Sequence, residues 1–544
     1  MPNLWYKNAI IYCLDVETFM DSNGDGTGDF IGLADRLDYL ERMGVTCIWL
    51  NPFYPSPNRD NGYDVTDYYG VDPRFGTLGD FVEFMHAAQD RGMRVIVDLV
   101  VNHTSIDHPW FQAARSSPDS PYRDWYVWSA EKPDNISEGI IFPGVQEAIW
   151  TYDRTAKAWY LHRFYEHQAD LNVANPAVRA EILKIMGFWL ALGVSGFRID
   201  AVPFLIETKG VEGSEHSVDP YALLTEMHDF LAWRKAGAIL LAEANIPYDE
   251  AENYFHGGDR MSMIFDFVGN QQVFLGLARG TAAPIRKALT ARPVPTGMGQ
   301  WASFLRNHDE LDLGRLSTQE RTEVFAAFAP EKGMQLYDRG IRRRLASMLG
   351  GDRSKLLLAN SLMLAMPGTP VFWYGEEIGM AEDLSLPERN AVRTPMQWSD
   401  EPNAAFSTAP ANKLVRPLTA DGAFGYRAVN VAQQLRDPSS MLQTISGMVA
   451  TRRSAPEIGW GETKHIDVGD DDVLVLQSTW RDNCVITLHN FSKSKKSIRL
   501  ELDAVSELEP LLNSSGPLNR FPADAAIELS PHGYCWLRCG GQRR

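Results

Sequence analysis

The chain has 544 residues, 44% of them apolar, and a formal net charge of −18. That length exceeds one ordinary core, which stops growing near ~250–300 residues, so a large domain with appended modules is expected. The acidic balance argues against nucleic acid and anionic membrane as partners, and no run of ~20 apolar residues suggests a membrane span. The 15 Trp and 19 Tyr can stack on sugar faces, although most of such a supply fills core and interface. The N-terminal stretch lacks the charged start, apolar core and cleavage site of a secretory signal. The cysteines, Cys13, Cys47, Cys484, Cys535 and Cys539, are odd in number. Reduced thiols in a cytoplasmic protein are the expectation.

In chain order, eight short apolar runs alternate with amphipathic stretches: 9–16, 47–52, 94–100, 196–202, 238–244, 261–267, 302–308 and 369–375. Runs apolar on both faces read as buried parallel strands. Eight of them separated by helical patterns imply a (β/α)8 barrel, with an open doubly wound sheet as the competitor. The barrel is expected over 1–103 and 168–453. Residues 104–167, rich in Pro, Trp, Tyr and Asp, form too long a gap for one helix and read as an inserted domain. A second, charged insertion is expected around 311–346. From 454 to 544 short alternating runs predict a C-terminal β-sandwich.

Polar residues gather where these strands end, which in a barrel is one common face. DLVVNH carries Asp98, Asn102 and His103. GFRID carries Arg198 and Asp200, LLAEAN carries Glu243, and FLRNHDE carries His308 and Asp309. One acidic residue at a strand end is usually a helix N-cap. Three carboxylates with Arg and His are harder to assign that way, because clustered like charges need compensation. Acetal cleavage uses such a set: one carboxylate at the anomeric carbon and a carboxylic acid at the leaving oxygen. Arg198, two residues before Asp200 on a strand, shares its face and can hold it ionised. In DSNGDGTGD, oxygens at Asp21, Asn23, Asp25, the Thr27 carbonyl and Asp29 alternate as in a calcium loop. Gly32 stands where an EF-hand has Glu, so the alternative is a solvated turn.

With these segments in this order, the sequence resembles the α-amylase superfamily (glycoside hydrolase family 13) over essentially its whole length. The resemblance implies Asp200 as nucleophile, Glu243 as acid/base and Asp309 as transition-state stabiliser. It implies His103, Arg198 and His308 in the subsite of the cleaved glucose, and Tyr63 and Asp64 of NGYD as stacking ring and hydroxyl-gripping carboxylate. It also implies a second structural calcium at Asn102 and Asp170, with backbone oxygens near Phe204 and Leu205 and with Glu207. Ala169 stands where the family segment has Pro. Val202 in GFRIDAV resembles exo-acting members.

HPWFQAAR, YRDWYVWS and RTPMQWS resemble the branch of the family that interconverts maltose and trehalose, with the oligo-1,6-glucosidase and sucrose-active group close by. The implied partner is a small α-glucoside (maltose, trehalose or sucrose), bound without an organic cofactor. A homodimer is kept open. Isomerisation demands a dry pocket, for which Trp110, Tyr122, Trp125, Tyr126, Trp128 and the loop around Arg393 are candidate walls; for most of these aromatics, packing of the insertion against the barrel is the expectation. The alternatives are a plain retaining hydrolase, distinguished by its free glucose, and a non-catalytic barrel, distinguished by inertness towards an activated aryl α-glucoside.

Overall fold

The structure, a computed structural model, describes residues 4–134, 136–207, 219–502 and 505–542. Eight parallel strands close into a barrel in sequential order: β1 (Ile11–Leu14), β2 (Cys47–Leu50), β3 (Arg94–Leu99), β4 (Gly196–Ile199), β5 (Ile239–Ala242), β6 (Met263–Phe265), β7 (Gln300–Phe304) and β8 (Thr369–Trp373). Ile11 lies level with Cys47 on β2 and Val371 on β8, so the first strand pairs with the last and no edge remains. Every residue of β1, β2, β4 and β5 is buried. One face fills the barrel and the other meets helices, which explains the unbroken apolar runs.

The helices form the outer layer. Leu78–Asp90, after β2, opens with a capping box between Thr77 and Asp80 and buries Phe81, Phe84, Met85 and Ala88. That spacing puts them on one helical face. Pro176–Ala191, before β4, starts on an Asn175 cap and buries Trp189 edge-on against Phe53, Tyr54 and Phe81.

The ladders stop short of the apolar runs read from the sequence. β4 ends at Ile199 and β7 at Phe304, because the polar residues that follow leave the ladder to face the site. Ala201, just beyond β4, takes a left-handed φ of 50°, which turns the chain into the short helix Val202–Leu205.

Between β3 and the helix leading into β4, His103–Ser105 pairs with Gln168–Asp170, and Trp128–Ser129, Ala158–Leu161 and Trp150–Asp153 form a small sheet. Between β7 and β8, Leu311–Asp312, Gly340–Ile341 and Gln335–Leu336 form another, with helix Thr318–Phe328. At the C-terminal end a six-stranded sheet and a two-stranded sheet enclose a core that includes Val473, Val475, Ile486, Leu488 and Leu529. Trp536 donates through Nε1 to the Ser361 hydroxyl at 2.9 Å, docking this unit on the helix Arg353–Ala365. Among the described residues, no helix is long and apolar enough to cross a membrane.

Gly196 opens β4 at φ 149°, and a Cβ there would lie 2.3 Å from the Ile239 carbonyl oxygen on β5. Overpacking of this kind costs roughly 1–3 kcal/mol. Gly196→Ala is therefore expected to lower Tm by more than about 3 °C at a fixed scan rate; an unchanged Tm would show that the two strands separate freely.

Candidate active site

Asp98, Arg198, Asp200 and Glu243 come from three neighbouring strands, β3, β4 and β5, which bring them to one point. Arg198 is at the centre and only 2% exposed. Its Nη1 lies 2.5 Å from Asp200 Oδ1 and 2.9 Å from Asp98 Oδ1, and its Nη2 lies 2.9 Å from Glu243 Oε2. One guanidinium thus meets three carboxylates. Glu243 also accepts from the Ala201 backbone N–H at 3.0 Å, a donor aimed by that residue's left-handed turn. Asp98 Oδ2 accepts from Trp49 Nε1 at 3.3 Å and the Tyr63 hydroxyl at 3.1 Å.

Asp309 faces this group from beyond β7. His308 Nε2 is 3.1 Å from Asp309 Oδ2 and 2.7 Å from the Tyr63 hydroxyl, and the Tyr63 and His308 rings stack with centroids 5.6 Å apart. His103 Nε2 reaches the Tyr63 carbonyl at 3.1 Å. Arg393 donates to the His308 carbonyl at 2.8 Å and to Asp309 Oδ1 at 3.0 Å. Arg389 reaches the same Asp309 oxygen at 3.1 Å and Glu310 at 2.9 Å.

The two sides differ electrostatically. Burial pushes Asp200 up to about 6 and Glu243 and Asp98 up to about 7, against the opposing pull of Arg198. A Glu243 hydrogen bond holds Asp200 below where burial alone would put it. Asp309 is buried as well, but Arg389, His308 and Arg393 outweigh burial and hold it well below the usual carboxylate range. Burial lowers His308 to about 4, so its ring is neutral near pH 7. Pairs of titratable groups pushed apart in this way mark acid/base sites.

A cavity of about 870 Å3 lies over Glu243 and Asp309, lined also by Ala201, Phe142, Phe164 and Arg389 among others. A smaller polar recess of about 490 Å3 adjoins it, lined by Asp60, Tyr165, Glu388, Arg389 and Arg393 among others. Asp64 requires a correction. It is fully buried and accepts from the Ser56 hydroxyl and the Arg59 and Asp60 backbone N–H groups, so it braces its own loop instead of gripping sugar. Asp60, four residues earlier, lines the recess and is raised to about 6 by burial against the pull of Arg389 and Arg393. Of the two roles open to the aromatics of the insertion, wall or packing, these contacts are packing. Trp110 packs on Tyr68 and Trp125, Trp125 also meets Tyr122, and Phe111 sits between Tyr126 and Trp128. Phe142 and Phe164 reach the cavity from the insertion instead. Asp60, Glu310 and Arg389 were not singled out from sequence as site residues, and Asp98 was placed on the common face without a role. The one available signal was proximity to the quoted segments, Asp60 beside NGYD and Arg389 just ahead of RTPMQWS.

The loop 21–29 is drawn around Asp21, whose carboxylate accepts from the backbone N–H groups of Asn23, Gly24 and Gly26 and from the Ser407 hydroxyl. Asn23 and Asp25 accept from the N–H two residues on, and Asp29 accepts from Ser22 and Gly32. Asn23 and Asp25 keep their side chains exposed, and carboxylate, amide and carbonyl oxygens are the donor types that a hard cation takes. At the second candidate, Asp170 accepts from Arg163 N at 2.9 Å and lies 3.5 Å from Asn102 Nδ2. Glu207 ion-pairs with Arg163 at 2.5 Å, and Phe204 packs edge-on to Phe164 near buried Leu205. Among the described residues, no group of three or more His, Cys, Asp or Glu is arranged to hold a metal ion.

The model of the α-amylase catalytic domain matches residues 16–461. The trehalose synthase/amylase TreS of Mycobacterium tuberculosis H37Rv is 40% identical over 99% of this chain and 93% of its own. The trehalose synthase of Thermus thermophilus is 42% identical over 98% of this chain, which spans 55% of that longer protein. Among solved structures, the trehalulose synthase MutB of Pseudomonas mesoacidophila superposes with a TM-score of 0.79 at 27% identity, covering 98% of this chain and 99% of that one. With a closed barrel, its strand-end carboxylates and this span of similarity in agreement, the chain belongs to the α-amylase family.

Proposed function

We propose that this chain is a retaining transglucosylase that interconverts maltose and trehalose through a glucosyl–Asp200 intermediate. The observation that carries the reading is the shared guanidinium: Asp200 and Glu243 lie 2.5 and 2.9 Å from the two terminal nitrogens of Arg198. One anchor holds the two carboxyl groups close together, and closely spaced carboxyl groups are the signature of double displacement. Two relatives named trehalose synthase, similar across nearly the whole chain, support the choice of reaction within the family.

The steps follow from the two sides of the site. Asp200, ionised, forms a bond to the anomeric carbon as the glycosidic C–O bond breaks. Glu243 gives its proton to the departing oxygen. Asp309, permanently anionic beside Arg389 and Arg393, grips ring hydroxyls and favours the positively charged transition state. Asp60 and Arg393 hold the far hydroxyls of the same glucose, while Tyr63, His103 and His308 form its floor. The released glucose turns, Glu243 takes the proton of its anomeric hydroxyl, and that oxygen displaces Asp200 to give the 1,1 linkage. We place a structural calcium at Asp21, Asn23, Asp25, the Thr27 carbonyl and Asp29. Asp21 N donates to the Phe406 carbonyl and Val415 N to the Gly26 carbonyl, so a bound ion would brace the segment that carries Arg416. Arg416 in turn donates to the Arg393 carbonyl at 3.1 Å.

Maltose incubated with the protein should give trehalose as the main product by proton NMR, with little labelled glucose entering from outside. Asp200→Asn should lose more than about 10⁴-fold of that turnover while keeping its Tm. Free glucose as the dominant product from both disaccharides would replace this reading with a plain hydrolase.

The pH profile of kcat/KM should be bell-shaped. The rate falls on the acid side as Asp200 takes a proton near about 6, and on the alkaline side as Glu243 loses one near about 7. The limbs belong to the interacting pair. Glu243→Gln should remove the alkaline limb on an activated aryl α-glucoside; its persistence would assign that limb to another group.

Chelation should lower Tm and leave the initial rate of still-folded protein nearly unchanged, since an ion bound to the folded state stabilises it by mass action. Immediate loss of activity without a thermal shift would place the ion in the chemistry instead.

A further inference from the structure

Arg389 lines both the cavity over Glu243 and Asp309 and the polar recess around Asp60, so it forms part of the wall between them. Three residues from three separate segments stand behind it. Tyr165 ends the insertion after β3, Tyr337 lies in the turn between Gln335–Leu336 and Gly340–Ile341 of the small sheet between β7 and β8, and Glu388 follows β8. The Tyr165 and Tyr337 hydroxyls donate to Glu388 Oε2 at 2.6 and 2.9 Å and lie 3.0 Å from each other. Phe142 closes the front, its ring centroid 4.7 Å from that of Tyr165 and 4.6 Å from that of Tyr337. The Arg389 guanidinium lies 4.7 Å above Phe142 and carries the contact through to Asp309.

The backbone at this junction is unusual. Tyr337 has a φ of 54° and Glu388 a φ of 43°, values that bulky residues rarely adopt. Such conformations persist where the surroundings over-determine them, and they cluster at functional sites. Burial raises both phenols, so both remain protonated donors to Glu388.

We propose that Tyr165, Tyr337 and Glu388 form a clasp that divides the glucosyl intermediate between the trapped glucose and water. The inference rests on the isomerase reading above and names the residues that set its product ratio. The three segments meet outside the barrel's strand ladder, and the clasp bonds join them to one another. Loosening those bonds connects the polar recess with the cavity. Water then reaches the glucosyl ester: its oxygen bonds to the anomeric carbon, the carbon–Asp200 oxygen bond breaks, and Glu243 takes the proton. The clasp acts through the wall and takes no part in the bond changes.

The test compares wild type with Tyr165→Phe, Tyr337→Phe and Glu388→Gln. Glucose and trehalose formed from maltose are measured by NMR at early conversion, with p-nitrophenol release from p-nitrophenyl α-glucoside and Tm as parallel readouts. The glucose-to-trehalose ratio should rise about fivefold in Tyr337→Phe and Glu388→Gln, the size expected for one net hydrogen bond. Aryl glucoside turnover should stay within about twofold. The ratio is a property of each turnover, so partial unfolding cannot move it, whereas a purely structural role would lower Tm alone. Added labelled glucose should enter trehalose more readily in the variants, because an opened wall leaks both ways. A wild type that isomerises beside three variants with its own ratio overturns the clasp and leaves the isomerase intact. A wild type that releases only glucose overturns the isomerase reading and the clasp with it.

Discussion

The Arg198 guanidinium is the constraint on which the rest of the site depends. It is buried, and it touches Asp98, Asp200 and Glu243 at ion-pair distance. Taking charges out of water is expensive unless each finds a partner. Burial first, and then the excess of negative charge from three carboxylates around one cation, make the cluster hold protons: Asp98 and Glu243 rise to about 7 and Asp200 to about 6. A removable proton near neutrality is what a general acid needs. Across the cavity the balance is inverted. Asp309 has Arg389 and Arg393 on the same oxygen and stays anionic. Burial and charge count together therefore assign one side to proton transfer and the other to fixed charge.

The barrel makes this possible by convergence. Asp98, Arg198 and Glu243 are far apart in the chain, yet β3, β4 and β5 are neighbours, and their register places Asp98 opposite Arg198. Arg198 is held from below by aromatic faces, with its guanidinium carbon 5.5 Å from the Trp49 ring centroid and 5.8 Å from that of Tyr63. Those contacts favour the cation without supplying another negative charge. Tyr63 also bonds to Asp98 and His308, so one ring links the two sides of the site.

The parts of this arrangement that periodicity governs were legible in the sequence. All eight barrel strands were read from their apolar runs, because burial on both faces leaves an unbroken pattern. Loop geometry carries no such period. Asp60 and Asp64 lie in one short segment, and only the folded loop shows that Asp64 turns inward to backbone donors while Asp60 faces the recess. Trp110, Trp125 and Trp128 are large and close together, a pattern that serves a cavity wall and plain packing equally. They pack among themselves and Phe111, whereas Phe142 reaches the cavity through a turn that no spacing marks. Arg389 was missed because its partner Asp309 follows a different strand, and an ion pair across two loops leaves no local signature. Glu207 was read as a calcium ligand; its carboxylate meets Arg163 from the insertion, again a contact between distant segments.

Water exclusion in this family member is a problem of rival nucleophiles, and the wall's construction bears on it. A glucose held beside the ester can have an effective molarity of ~10⁵–10⁸ M, so it wins against water as long as it stays. What decides the outcome is retention of that glucose together with the orientation of its anomeric hydroxyl. A purely apolar wall would repel water but offer no bond that sets how closely separate segments approach. Tyrosines answering to one carboxylate do both: ring faces shed water, and hydroxyl–carboxylate bonds of 2.6 and 2.9 Å fix the spacing of three segments at once. The Arg389 that caps this wall also reaches Asp309, but Arg393 holds the same Asp309 oxygen without any bond to the clasp. The fixed anion therefore keeps a cation when the wall loosens, and the enclosure can change while the charge that favours the transition state stays in place.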